Sequence, residues 1–220
     1  MTQEKIATPD RELMIGDVGR LVEIESPSLD LAALAQSARE LALMMEQRLG
    51  SSATLIDSVA GPHVHWVGGG EPKVLIVGHH DTVFPKGALA ARPFTVDGDK
   101  ATGPGIFDMK AGIVQAIHGV AALDDKSGVE ILITADEEVG SVHSRDLIIE
   151  RAKACGAVLV LEPSAGGGAL KTARKGTGTF ELHVHGRASH AGLEPEKGVN
   201  LRRRLNECIH ALFWFKPSMR

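Results

Sequence analysis

Residues 73–87 run Lys73-Val74-Leu75-Ile76-Val77-Gly78-His79-His80-Asp81-Thr82-Val83-Phe84-Pro85-Lys86-Gly87. The aliphatic run after Lys73 predicts a strand buried on both faces, the kind that builds a parallel sheet covered by helices. Two histidines and an aspartate follow directly. Such groups are costly to bring toward a core unless something compensates them. Either they form a strand-end turn facing solvent, or they hold something charged.

Working outward, Met109 to Leu123 predicts an Ala- and Ile-rich helix whose N-terminus receives Asp108. Val129–Ala135 predicts a strand, Ser141–Cys155 a helix and Ala157–Leu161 another strand. Upstream, Leu29 to Leu49 predicts a helix, with Ser28 or Asp30 as its cap and Gly50 just past its end. Two short strand candidates, Ala53–Ile56 and His63–Val67, lie between, and Asp97-Gly98 marks a turn. Alternation of strand and helix after Lys73 predicts an α/β fold with a largely parallel, buried central sheet. Beyond Gly176 the pattern changes to an alternating strand, Thr179–Gly186, which places a domain boundary between residues 1–176 and 177–220.

The formal net charge of −4 offers no basic footprint, so no nucleic-acid partner is expected. No apolar stretch approaches the roughly 20 residues of a membrane span, so no membrane partner is expected either. Two cysteines, Cys155 and Cys208, make no disulfide framework, and MTQEKIATPDRELM at the start shows no signal-peptide pattern. A cytoplasmic location is the expectation.

The acids fall at the ends of the predicted strands. His79 and Asp81 follow the first, Asp108 opens the next helix, Asp136, Glu137 and Glu138 follow the second strand, and Glu162 follows the third. In open α/β sheets, ligands bind where loops converge at the carboxyl ends of strands. So many unpaired carboxylates would repel one another there. A divalent cation resolves the conflict, because carboxylate oxygen and imidazole nitrogen bind it at about 2.0–2.2 Å. Glu137-Glu138 taken alone reads as a solvated loop, but the other strand-end acids argue for a metal. Consecutive side chains diverge, so one glutamate can reach metal while the other stays free for proton transfer.

GHHDTVFPKG from Gly78, GPGIFDMKAG from Gly103, TADEEVGS from Thr134, LEPS from Leu161, ARKG from Ala173 and GRASHAG from Gly186 occur in this order. Together they resemble the dinuclear zinc peptidases of the M20 type, among them glutamate carboxypeptidase, acetylornithine deacetylase and succinyl-diaminopimelate desuccinylase. The resemblance implies a three-layer zinc-peptidase-like domain followed by the beginning of an α+β lid and dimerisation domain. It also implies a homodimer for an intact homologue.

The same resemblance implies two Zn2+ ions, with Co2+ or Mn2+ as other cations. His79 and Glu162 would hold one zinc, Glu138 the second, and Asp108 would bridge them. Glu137 would be the general base, Asp81 would orient His79, and His190 would stabilise an oxyanion in the partner subunit's site. A cis peptide joining Asp108 to Met109 is implied as well. The implied reaction is amide hydrolysis in a small peptide or N-acyl amino acid, nearest the glutamate carboxypeptidase branch through DTVFPKG and ARKG. A deacylase of the acetylornithine deacetylase type and a non-catalytic metal-binding remnant are the alternatives. Glu137 weighs against the remnant, which has no need of a base.

The other histidines read as ordinary. His80 points away from its neighbour's task, His63, His65, His183 and His185 are surface or packing groups, and His118 is helix packing or surface. The glycines of GPGIF do not fit a dinucleotide-binding fingerprint. Family members are longer, and the resemblance stops near Asn200, before the last histidine ligand of the second zinc; His210 is a formal substitute only. A truncated, impaired hydrolase with exposed core surface is therefore expected, and Leu205, Cys208, Ile209, Leu212 and Phe213 predict a final helix.

Overall fold

In the computed structural model, which describes residues 8–173, 175–176, 181–190, 192–194 and 197–214, the chain divides into two units, Met1–Lys171 and Thr172–Arg220. The first unit is built on strands β1 (Thr54–Ile56), β2 (His63–Val67), β3 (Val74–His79), β6 (Val129–Thr134) and β7 (Ala157–Val160), in the spatial order β1-β2-β6-β3-β7. β3 runs parallel to both β6 and β7, whereas β2 pairs antiparallel with β6 and β1 with β2. The parallel core of the sheet is the one predicted from the aliphatic runs. A two-stranded ribbon, β4 (Thr95–Asp97) with β5 (Lys100–Thr102), turns at the predicted Asp97-Gly98.

Helices α1 (Arg11–Glu23), α2 (Leu31–Leu49) and α4 (Ala111–Ala121) pack together over one face of the sheet; a short helix, α3 (Ala88–Ala91), precedes β4. Leu41, Met44, Trp66, Ile76, Met109, Ile113, Ile117 and Ile131 fill the space between. Trp66, Ile131 and Ile133 point into this layer, so by strand alternation His65 and Glu130 face the other side. There α5 (Arg145–Ala154) lies, its Arg151 Nη1 3.8 Å from Glu130 Oε2. The result is three layers. β7 departs from the expectation of a buried sheet, because it is an edge strand with Val158, Leu159 and Val160 43%, 50% and 56% exposed.

Helix α1 lies outside the predicted elements, although Met14, Val18, Leu21 and Val22 recur at helical spacing; within it the Phe94 ring closes to 2.9 Å of the position a Cβ on Gly19 would take. Two local expectations shift. The helix expected from Met109 instead starts at Ala111, after an irregular turn, Ile106–Lys110, in which Asp108 and Met109 leave helical geometry. The peptide joining those two is cis, as the resemblance implies. The helix expected from Ser141 starts only at Arg145, because the Asp136 carboxylate takes the amides of His143 and Ser144 at 2.7 and 3.2 Å.

In the second unit, α6 (Leu201–Trp214) is the predicted final helix. Residues 181–186 form no strand, and Thr179 and Phe180 lie outside the described residues. Arg187 and Val199 make an isolated antiparallel bridge instead. Alternation permits a strand, but a ladder requires a partner. Among the described residues no helix is long and apolar enough to cross a membrane.

Buried Asp17 ties the three helices together. It accepts from Arg48 Nε at 2.8 Å, Arg48 Nη2 at 2.9 Å, Arg20 Nη1 at 3.1 Å and His118 Nε2 at 2.8 Å. Burial alone would raise its pKa, but the hydrogen bonds from Arg48 and His118 outweigh it and hold the carboxyl at about 2. A pKa below the ordinary 3.8 means stabilisation that is intact above about pH 4 and lost as pH falls toward 2. Asp17→Asn is expected to cost about 2 kcal/mol in urea unfolding at pH 7, since it takes charge-assisted hydrogen bonds from the half-buried guanidinium groups of Arg48 and Arg20. The difference from the parent chain should shrink between pH 4 and pH 2, the range that the shift from 3.8 to about 2 defines.

Candidate metal centre

Parallel register carries the acids to one edge. His79 ends β3 opposite Thr134, and Val77 opposes Val160, so Asp136–Glu138 and Glu162 leave the sheet beside His79. His79 is buried, its amide donating to Met109 Sδ at 3.3 Å. The ring Nδ1–H donates to the Asp81 carbonyl at 2.9 Å, which leaves Nε2 facing the acids. That nitrogen lies 3.2 Å from Asp108 Oδ1, 3.3 Å from Glu162 Oε1 and 3.9 Å from Glu137 Oε2. One donor atom each from His79, Asp108 and Glu138 falls within 4.8 Å of the others.

This donor set fits a divalent cation. Two ligands each about 2.1 Å from a tetrahedral metal stand roughly 3.4 Å apart. The separations of 3.2 and 3.3 Å from His79 Nε2 match that spacing. Imidazole nitrogen with carboxylate oxygen suits zinc, and also cobalt or manganese.

Asp81 does more than the sequence indicates. It is fully buried, and its Oδ1 lies 3.4 Å from His79 Nδ1 while also accepting from the Glu137 amide at 3.1 Å. Its Oδ2 accepts from the Glu138 amide at 3.2 Å and from Ser28 Oγ at 2.8 Å. Asp81 therefore holds the imidazole through its backbone carbonyl, and its carboxylate anchors the short turn, Glu137–Val139, that bears both glutamates. Of the two caps considered for α2, Asp30 is the one used, accepting from the Ala33 amide at 3.1 Å, and Ser28 turns to Asp81. Asp136, also fully buried, fixes the far end of the same loop. No sequence signal marks the bonds to Ser28 or the two glutamate amides, since they join residues more than 50 positions apart.

His80 stays outside the cluster, with its ring between Ser37 Oγ and the Pro62 carbonyl at 3.1 and 3.0 Å. His63 accepts from the Ala135 amide at 3.2 Å, His65 pairs with Glu130 at 2.9 Å and His118 packs against Asp17. His190 belongs to the second unit, exposed in a turn where its Nδ1 accepts from the Gly192 amide at 3.2 Å. His210 lies on α6, also exposed.

The charges are strongly coupled. Burial would strip the proton from His79, but hydrogen bonds with Asp81 and Glu162 and the nearby carboxylates outweigh it and push the pKa up to about 11. Burial, reinforced by Glu162, Asp81 and Asp108, raises the Glu137 pKa; burial and Asp108 raise that of Glu138. The hydrogen bond with His79 lowers the Glu162 pKa. Burial lowers His80 to about 4. In the cation-free chain at pH 7, ring nitrogen NMR is expected to show His79 as imidazolium and His80, its neighbour, as neutral imidazole. His79 should deprotonate only as pH rises through about 11, and His80 should protonate only as pH falls toward 4.

Comparison with known proteins places this arrangement. Residues 75–209, more than half of the chain, match the model of peptidase family M20/M25/M40. Carboxypeptidase G2 of Pseudomonas sp. (strain RS-16) is 38% identical over 205 residues, covering 88% of this chain and 49% of that protein. Succinyl-diaminopimelate desuccinylase of Gluconobacter oxydans is 30% identical, covering 69% of this chain and 45% of that protein. The chain thus spans about half the length of these relatives. Among solved structures, an M20 family metallo-carboxypeptidase from Sulfolobus solfataricus superposes with a TM-score of 0.58 at 23% identity, over 71% of this chain and 38% of that one. A tripeptidase from Staphylococcus aureus gives 0.60 at 16%, over 93% of this chain and 57% of that one, and both share the fold. The chain belongs to peptidase family M20/M25/M40.

Proposed function

We propose that this chain carries the metal-binding part of a hydrolase that cleaves an amide bond in a small peptide or N-acyl amino acid. The observation that carries the proposal is the convergence on His79 Nε2 of carboxylates from three separate segments, with Glu137 standing 3.9 Å away beside the candidate ligands. His79 and Glu162 would hold one zinc, Glu138 a second, and Asp108 would be shared. A bound cation pair supplies Lewis acidity toward a carbonyl and lowers the pKa of water from 15.7 toward about 7.

The chain's own residues do the rest. Glu137 accepts a proton, and the raised pKa that burial and neighbouring acids give it brings its basicity nearer neutral pH. Asp81 holds His79 and the glutamate turn in register. His190 takes the oxyanion-stabilising role on the resemblance alone, in a homodimer whose lid begins near residue 177. A cytoplasmic place accords with the free thiols of Cys155 and Cys208.

The 38% identity to a carboxypeptidase favours carboxypeptidase-like cleavage. The deacylase reading draws support from the desuccinylase of Gluconobacter oxydans and from an acetylornithine deacetylase of Aliivibrio fischeri, 31% identical over 161 residues.

Glu137→Gln is expected to retain zinc in metal analysis while losing about 10²–10⁴-fold in turnover of N-acyl amino acids. His79→Ala should lose both. Undiminished turnover in Glu137→Gln would overturn the proposal.

A further inference from the structure

We infer that Ser28 is a positioning residue for the metal centre, acting through the carboxylate of Asp81. The inference rests on the metal-hydrolase reading and extends it to a side chain outside the six motif segments. Ser28 Oγ donates to Asp81 Oδ2 at 2.8 Å, shorter than the contacts from the Glu137 amide, the Glu138 amide and His79 Nδ1 at 3.1, 3.2 and 3.4 Å.

A strap holds the hydroxyl there. Residues 26–28 run beside residues 80–82, with Pro27 and Thr82 bridged in parallel. Ser26 Oγ donates to the His80 carbonyl at 2.6 Å, the Thr82 amide to the Ser26 carbonyl at 2.8 Å, and the Ser28 amide to the Thr82 carbonyl at 3.1 Å. Ser26 and Thr82 are buried. Capping of α2 does not explain Ser28, because Asp30 performs it. The Ser28 hydroxyl has two acceptors within reach, Asp81 Oδ2 at 2.8 Å and the Thr82 carbonyl at 3.4 Å, and the much shorter bond is to Asp81.

The two oxygens of Asp81 have separate duties. Oδ1 serves His79 and the Glu137 amide, and Oδ2 serves Ser28 and the Glu138 amide. Without the hydroxyl, Oδ2 keeps a single amide at 3.2 Å, and the side chain itself has no solvent exposure. A buried charged acceptor that loses a donor is destabilised or moves. Rotation of the carboxylate loosens the glutamate turn and shifts the charge beside the imidazole, whose own hydrogen bond to the Asp81 carbonyl remains, so one hydroxyl governs the placement of Glu137 and Glu138.

The test uses the 220-residue chain and its Ser28→Ala and Ser28→Thr variants. Zinc affinity is read by chelator competition, and amide hydrogen exchange is read at Glu137 and Glu138 in the metal-free chain. The amides of Met44 and Ile117 in the core helices serve as reference. Ser28→Ala is expected to weaken zinc binding about 10-fold, as loss of outer ligand support does, while Ser28→Thr keeps the parent affinity. Exchange at Glu137 and Glu138 should rise about 10-fold in Ser28→Ala with the reference amides unchanged. Exchange at both glutamates within about twofold of the parent would overturn the inference, as would a parallel rise at Met44 and Ile117, which marks general destabilisation. A chain that takes up no zinc would sink the metal reading instead, and the exchange measurement would still decide the role of Ser28.

Discussion

The carboxylate of Asp81 is the constraint on which the centre depends. A buried ion costs several kcal/mol unless hydrogen bonds compensate it, so its position is fixed by its donors as firmly as theirs are by it. Those donors come from the α1–α2 connection and the turn after β6, and the end of β3 carries Asp81 itself. Three stretches of chain with no contact in sequence meet at one pair of oxygens. The parallel sheet brings them within reach, and Asp81 sets their final geometry.

Around that anchor the charge balance is uneasy. Asp108, Glu137 and Glu162 surround a single imidazole nitrogen, and against the effect of burial Asp81, Glu162 and Glu137 keep a proton on the ring far above the usual histidine range. A metal ion would replace that proton and neutralise more of the acids. The centre is therefore expected to exchange protons for metal, with affinity rising as pH rises. On the other side of α4, Asp17 shows the opposite solution, where two arginines and a histidine satisfy one carboxylate without metal.

Much of this was legible in the sequence, for identifiable reasons. Val74–Val77 and Ile131–Ile133 are aliphatic without interruption, which signals strands covered on both faces, and the histidine and acids that follow several strands in turn point together to a ligand where any one of them alone would not. The carboxylate assembly follows from strand direction alone. Less legible were features made by distant partners. Gly19 of helix α1 makes room for the ring of Phe94, a residue distant in sequence. The start of α5 is delayed by Asp136, and Ser28 serves a residue 53 positions away. Neither leaves a period in the sequence. The alternation after Gly176 misled in the opposite way, since residues 181–186 have the pattern of a strand without its ladder.

Between Ser28 and Asp30 stands Leu29, 62% exposed and held at φ 69°. A branched residue in left-handed conformation costs on the order of 1–3 kcal/mol and persists only where its surroundings demand it. Here the demand comes from both sides, because the serine must face Asp81 while the aspartate caps a helix. Surface connections ordinarily absorb insertions and deletions without harm. This one has no slack: adding or removing a single residue would turn one of the two side chains away from its partner.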